Sequence, residues 1–500
     1  MAKRISAALL AAVLAMLSLT ACAARQTPDN KVTQVQTTVA SADEVIPEDN
    51  STFKLCYSQA DSLDPFEAVT QSNQILAQLV FEGLFSLDEN YKATLNLASG
   101  YRYEDSKTLV VDITSGIKFS DGSTLTAGDV VQSFEEAKAS AYWGGSLEEI
   151  SDCSAKSDAE IVFHLSTPNN YAHNLLVFPI KSSDGDGDFP IGSGRYYFAT
   201  EGNETVLKAN VTESFKPHLT TLHLENIASN DSIDNAINIG NISFAFRDLS
   251  TNSSRKISAN KKLVNMNNLV YLGVNNKSGI TANASIRKAI ALAVDRQALV
   301  KSAYGGFAQA ATGVFNPQFE LATTALYEST ADVNAAKQAI AQSGYSNLSV
   351  SLLYNAQNTD RRACAALIKQ QLEAAGFSVS LNAAATDEEY FRLIQSESFS
   401  LYIGEVKLPP SMSLKAFFTN AGGAHYGIDT GSSKAGEEYY KFLDGGELGS
   451  FLLEFSNETP YIPLLYRKGM ICFSKAMNGD MQGRCFDCFG NIENWYFISE

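Results

Sequence analysis

Histidine is scarce, with five in 500 residues. That leaves little material for imidazole metal sites, and no His-Glu-x-x-His occurs among them. A basic stripe is missing as well: 38 Lys and Arg stand against 55 Asp and Glu, for a formal charge of −17. The balance excludes the cationic face that nucleic acid demands. After the first stretch no apolar run reaches the ~20 residues needed to span a bilayer. Gly-x-Ser-x-Gly, P-loop and dinucleotide fingerprints are all absent, and no carboxylate pair stands out as acid and base. The chain therefore reads as no enzyme and as needing no cofactor. What it does have is 45% hydrophobic, 10% aromatic and 19% charged residues, the composition of a folded protein. Its length exceeds the ~250–300 residues that one core supports, so two or three domains are expected.

The N-terminus carries an address. Lys3 and Arg4 precede an apolar run from Ile5 to Leu19, too short to span and of the right length for a secretory signal. Leu19-Thr20-Ala21-Cys22 follows, in the pattern of a bacterial lipobox. Residues 1–21 are thus expected to be removed and Cys22 to be lipidated, two acyl chains giving a stable anchor to the cell membrane. From Ala23 to Thr52 there is no aromatic residue, so 22–52 reads as a flexible tether that holds the rest outside the cell.

In the second half, Leu348–Tyr354 alternates as a strand, and Thr359–Ala375 has helical spacing closed by Gly376. Phe377–Leu381, Thr386–Glu397 and Phe399–Val406 continue the alternation of strand, helix and strand. Such a run implies parallel pairing with right-handed crossovers. Helices are also expected over 285–304 and 332–343. The first half is richer in strands: Phe53–Ser58, Thr108–Ile113, Ile161–Leu165, Arg195–Thr200, Val206–Ala209, Thr221–Ile227 and Ile242–Phe246. Thr126 and Asp129 form a capping box for a helix over 127–139. Two further strand-like stretches, Pro460–Tyr466 and Gly469–Ser474, have no place in the preceding run, so the chain is expected to return to its first lobe. Two lobes joined by more than one crossing suit hinged closure on a ligand.

Several blocks carry a resemblance. Leu63-Asp64-Pro65, then Val80 to Asp88 (VFEGLFSLD), then Gly116 to Val130 (GIKFSDGSTLTAGDV) resemble the signature segments of bacterial family 5 solute-binding proteins. Val274-Asn275-Asn276, Ile286 to Arg296 (IRKAIALAVDR) and Ala336 to Tyr345 continue the match in order, and Pro460–Tyr466 is similar to the family's return strand. The resemblance implies an α/β, two-lobed periplasmic-binding-protein-like flytrap with an extra subdomain in the first lobe. The first lobe would cover 53–270 with the insert at about 73–185, the second 271–460, and 461–500 would return to the first. It also implies a monomeric lipoprotein receptor that takes a peptide or other small solute and delivers it to the permease of an ABC importer. A surface hydrolase, or a chaperone or sensor using the same cleft, is the alternative.

The family's peptide binders often place an aspartate for the ligand α-ammonium just after the third strand of the second lobe. Here Gly404-Glu405-Val406-Lys407 occupies that stretch. Either Glu405 replaces the anion or the ligand has no such ammonium, and Lys407 favours a carboxylate or another anion. Tyr271, Tyr402 and Tyr466 lie on or near strands that lead toward the hinge and are candidate ligand contacts, with core packing the competing reading. Cys485-Phe486-Asp487-Cys488 lacks the further ligands of a zinc site, and a local disulfide is expected. Asp184 to Asp188 lacks the glycine and glutamate of a calcium loop and reads as a solvated turn. Arg195 and Ser243 depart from the family's usual residues and are expected to alter local turns only.

Overall fold

A computed structural model describes residues 52–184, 187–227, 229–249 and 257–498. The signal segment, Cys22, the tether up to residue 51, Gly185 and Asp186 lie outside the described residues. No described helix is long and apolar enough to cross a membrane.

Element ends follow local chemistry. The helix Ala127–Ala139 opens on the expected box, with the Asp129 carboxylate accepting from the Thr126 N–H at 2.8 Å. Thr359–Ala375 starts under Asn358, whose side chain accepts from two backbone N–H groups, and stops at left-handed Gly376. Val333–Ser343 is capped by Asp332 and closed by Gly344 in the same way. The helix expected over 285–304 is broken: Ala284–Ala293 ends at Val294, Asp295 caps a short turn, and a π-turn covers Leu299–Ala303.

Eleven strands form one mixed sheet. In its second-lobe half, Ser349–Asn355 lies between Ser378–Ala384 and Leu401–Lys407, parallel to both, as the alternation implied. In its first-lobe half, Lys54–Tyr57 runs parallel to Thr221–Asn226 and to Phe244–Arg247, with Glu204–Ala209 and Tyr196–Glu201 beyond. Two long antiparallel strands, Asn260–Val274 and Tyr461–Phe473, pass through both halves. Phe244–Arg247 pairs with Phe473 to Met470, whereas Leu401–Lys407 pairs with Val274 to Asn268. Between those stretches the register slips: Asn265 faces Lys468, and the next pair is Leu269 with Tyr466. This irregularity marks the passage from one lobe to the other. The two strand-like stretches near the C-terminus are thus a single strand that serves both lobes.

The insert has its own core. Ala98–Asp105, Thr108–Ile113, Glu160–Leu165 and Ile150–Ser157 form a four-stranded antiparallel sheet under Ala127–Ala139. It also reaches the second lobe: Asn174 donates to the Pro410 carbonyl at 3.3 Å, and the Tyr171 and Phe319 rings meet edge to face at 5.5 Å.

Candidate functional site

The pairing registers turn the C-terminal ends of both parallel strand sets toward each other. Arg247, at the end of its strand, pairs with Met470, and Lys407, at the end of its own, pairs with Asn268. Both positions border the slipped register. Convergent carboxyl ends of parallel strands are where α/β proteins hold ligands.

Glu405 sits in this zone with most of its side chain buried. Its Oε1 accepts from Arg467 Nε at 2.7 Å and from Asn268 Nδ2 at 3.0 Å, and its Oε2 accepts from Arg361 Nη2 at 3.1 Å. Arg467 reaches the other lobe as well: its Nη1 donates to the Asp248 carboxylate at 2.6 Å and to the Asp248 carbonyl at 2.9 Å. Burial alone would raise the Glu405 carboxyl, but the two guanidinium groups hold it below the ordinary glutamate value. A chain of four charges thus links Asp248 of the first lobe, Arg467 of the shared strand, and Glu405 and Arg361 of the second. Removing one partner of such a buried group typically costs ~3–5 kcal/mol, because the others are left uncompensated.

Lys407 lies two residues beyond Glu405, on the same face of the strand. Its side chain is exposed, and among the described residues it forms no salt bridge. Its Nζ stands 4.8 Å from the ring centroid of Tyr142, which belongs to the insert and is 41% exposed. The surrounding protein depresses this lysine, but Tyr142, Cys485 and the Asp248 carboxylate together raise it by more, so it keeps its proton above the usual lysine range. Two cavities flank the zone. One of about 270 Å³ opens at the first-lobe strand ends beside Thr70, Ser72, Phe246 and Arg247. The other, about 550 Å³, lies between Tyr91, Asn265, Arg484 and Cys485.

The remaining candidates divide. Tyr271, Tyr402 and Tyr466 are all buried in the second-lobe core, where Tyr271 and Tyr402 share a hydroxyl contact of 3.1 Å and Tyr466 donates to the Val314 carbonyl at 3.1 Å. The arrangement is that of packing residues, not of side chains open to the cleft. The expected Cys485–Cys488 disulfide is absent, and both are free thiols. Cys488 is buried in the first-lobe core with Phe489 and Trp495, and Cys485 packs against that core while lining the larger cavity. Arg195 does more than shape a turn. It pairs with Asp487 at 2.6 Å and donates to the Phe489 carbonyl at 3.0 Å, pinning the C-terminal segment to the first lobe. Sequence reading missed Arg361, Asp248, Asn268, Tyr142 and Arg467. Only Arg467 carried a signal, as a cation following the apolar run Tyr461–Tyr466.

No group of three or more His, Cys, Asp or Glu side chains among the described residues could hold a metal. The profile of bacterial extracellular solute-binding proteins, family 5 middle, matches residues 92–424. Glutathione-binding protein GsiB of Shigella flexneri is 26% identical over 353 residues, covering 65% of this chain and 68% of that protein. Among solved structures, the substrate-binding protein CtaP of Listeria monocytogenes superposes with a TM-score of 0.71 at 18% identity, over 90% of this chain and 100% of its own. NikA of Brucella suis, in complex with Fe(III)-EDTA, superposes with a TM-score of 0.67 at 17% identity, over 89% of this chain and 99% of its own.

Proposed function

The chain belongs to the bacterial extracellular solute-binding proteins of family 5, and from that premise we propose that it captures peptides or related small solutes between its lobes. Closure would present the solute to the permease of an ABC importer. Lipidation at Cys22 would keep the receptor at the outer face of the cell membrane, the tether to residue 52 giving it reach. The observation that supports this reading is the sheet: among the described residues, two sets of strand ends meet across a zone crossed by two strands, an arrangement suited to hinging around a bound molecule. Glutathione, for which the GsiB relatives are named, is itself a peptide and supports that ligand class.

The test is native mass spectrometry of the purified protein. A binder should carry a small solute of defined mass, release it chemically unchanged on denaturation, and rebind it. A hydrolase working in the same cleft would convert added peptides to products. Turnover of that kind, or a protein that stays empty and fails to take up any peptide, would overturn the proposal.

A further inference from the structure

At the ligand-facing end of Leu401–Lys407 two residues offer opposite charges, and the geometry treats them differently. Both oxygens of Glu405 already accept, from Arg467 and Asn268 on one side and from Arg361 on the other. A ligand ammonium would have to compete with two guanidinium groups that are themselves fixed, Arg467 by Asp248. The four linked charges, two of each sign, cancel. Lys407 is exposed, with an aromatic ring above it and no carboxylate within salt-bridge distance among the described residues, Asp248 acting on it only from further off. Beside Glu405, the buried Nε of Arg361 has no hydrogen-bond partner among the described residues. An exposed ammonium that no carboxylate pairs directly is suited to an anion, since charge-assisted bonds of this type are the strong ones.

Building on the solute-binding reading above, we propose that the cleft selects solutes carrying a carboxylate, which pairs with Lys407 beneath the Tyr142 ring. Because Tyr142 belongs to the insert and Lys407 to the second lobe, the anion would be gripped only when the two come together. Glu405 then organises the arginines and leaves any ligand ammonium unanchored.

The experiment is calorimetric titration of the full purified chain with four probes: trialanine, its C-terminal amide, its N-acetyl derivative, and glutathione. Trialanine and glutathione are expected to bind. Amidation should weaken trialanine more than tenfold, about 1.4 kcal/mol per decade, and N-acetylation less than threefold. Lys407→Gln should abolish the preference for acid over amide, and Lys407→Arg should keep it. An amide bound as tightly as the acid, or an N-acetyl form that loses binding while the amide retains it, overturns this inference alone. No binding by any probe counts against both the inference and the peptide reading, and the co-purified mass described above tells the two failures apart.

Discussion

At the scale of single residues the clearest pH sensor is a histidine of the insert. His173 is held in the insert between Tyr101, stacked on it at 4.5 Å, and Tyr103, whose hydroxyl is 3.2 Å from Nδ1. Burial pushes its pKa down from 6.5 to about 4. Between those values the unfolded chain binds a proton that the folded one refuses. Stability is therefore full above about pH 6.5 and falls as the pH drops toward 4. Between pH 7.5 and 5 the protein should lose about 2 kcal/mol more than a His173→Gln variant, read as the difference in urea midpoints at each pH. Equal losses would remove burial of this ring as the cause. The same scale shows what a sequence conceals. That Glu405 and Lys407 stand at a strand end was legible from the alternation that placed the strand. That one is engaged and the other free depends on Arg361, Asn268, Asp248 and Arg467, distant in the chain and brought close only by the sheet. Tyr271, Tyr402 and Tyr466 were rightly put on strands, but the strands are buried on both faces, and aromatic content does not tell such a strand from one that lines a cleft.

At the scale of elements, Asn260–Val274 and Leu401–Lys407 interlock through a reciprocal device. Tyr271 pairs with Gly404, and Gly273 pairs with Tyr402. A Cβ built on either glycine would collide with the partner tyrosine's ring, so each glycine makes room for an aromatic laid across the neighbouring strand. Gly404→Ala should destabilise the protein by about 1–3 kcal/mol through overpacking. Thermal denaturation would show it as a lowered melting temperature, and a Gly404→Ala protein that melts with the parent would refute the interlock. Helices of the second lobe were legible because their caps are written locally, in Asn358, Asp332, Gly344 and Gly376. Strands Ala98–Asp105 and Ile150–Ser157 escaped notice because most of their residues are exposed or half-buried and polar, which blurs the period-two signal. The 15-residue strand was also hidden, since its first half, Asn260–Asn265, is polar and only its second half reads as core.

At the scale of the whole molecule the insert carries the indole best placed to report on the proposed ligand. Trp143, half-buried, meets Tyr142 edge to face at 5.2 Å, whereas Trp495 is fully buried among Phe53, Phe244 and Phe489. Ligand binding should therefore change indole emission through Trp143 alone. A Trp143→Phe protein should still bind by calorimetry yet give no fluorescence response, and a response that survives this substitution would place the sensitive indole elsewhere. The lobed plan itself was readable from the order of motifs along the chain. Its seam was not, because a strand shared by two lobes looks in sequence like a strand belonging to either.

That shared strand has a consequence for how the protein is made. Tyr461–Phe473 supplies the partner for Asn260–Val274 along most of its length and for Phe244–Arg247, yet it leaves the ribosome well after both. Until it arrives, each half lacks an inner member of its sheet, so neither is able to mature during translation as an independent N-terminal domain would. Folding awaits the arrival of that stave, and a chain cut short before residue 461 should yield two unfinished halves, not one working lobe.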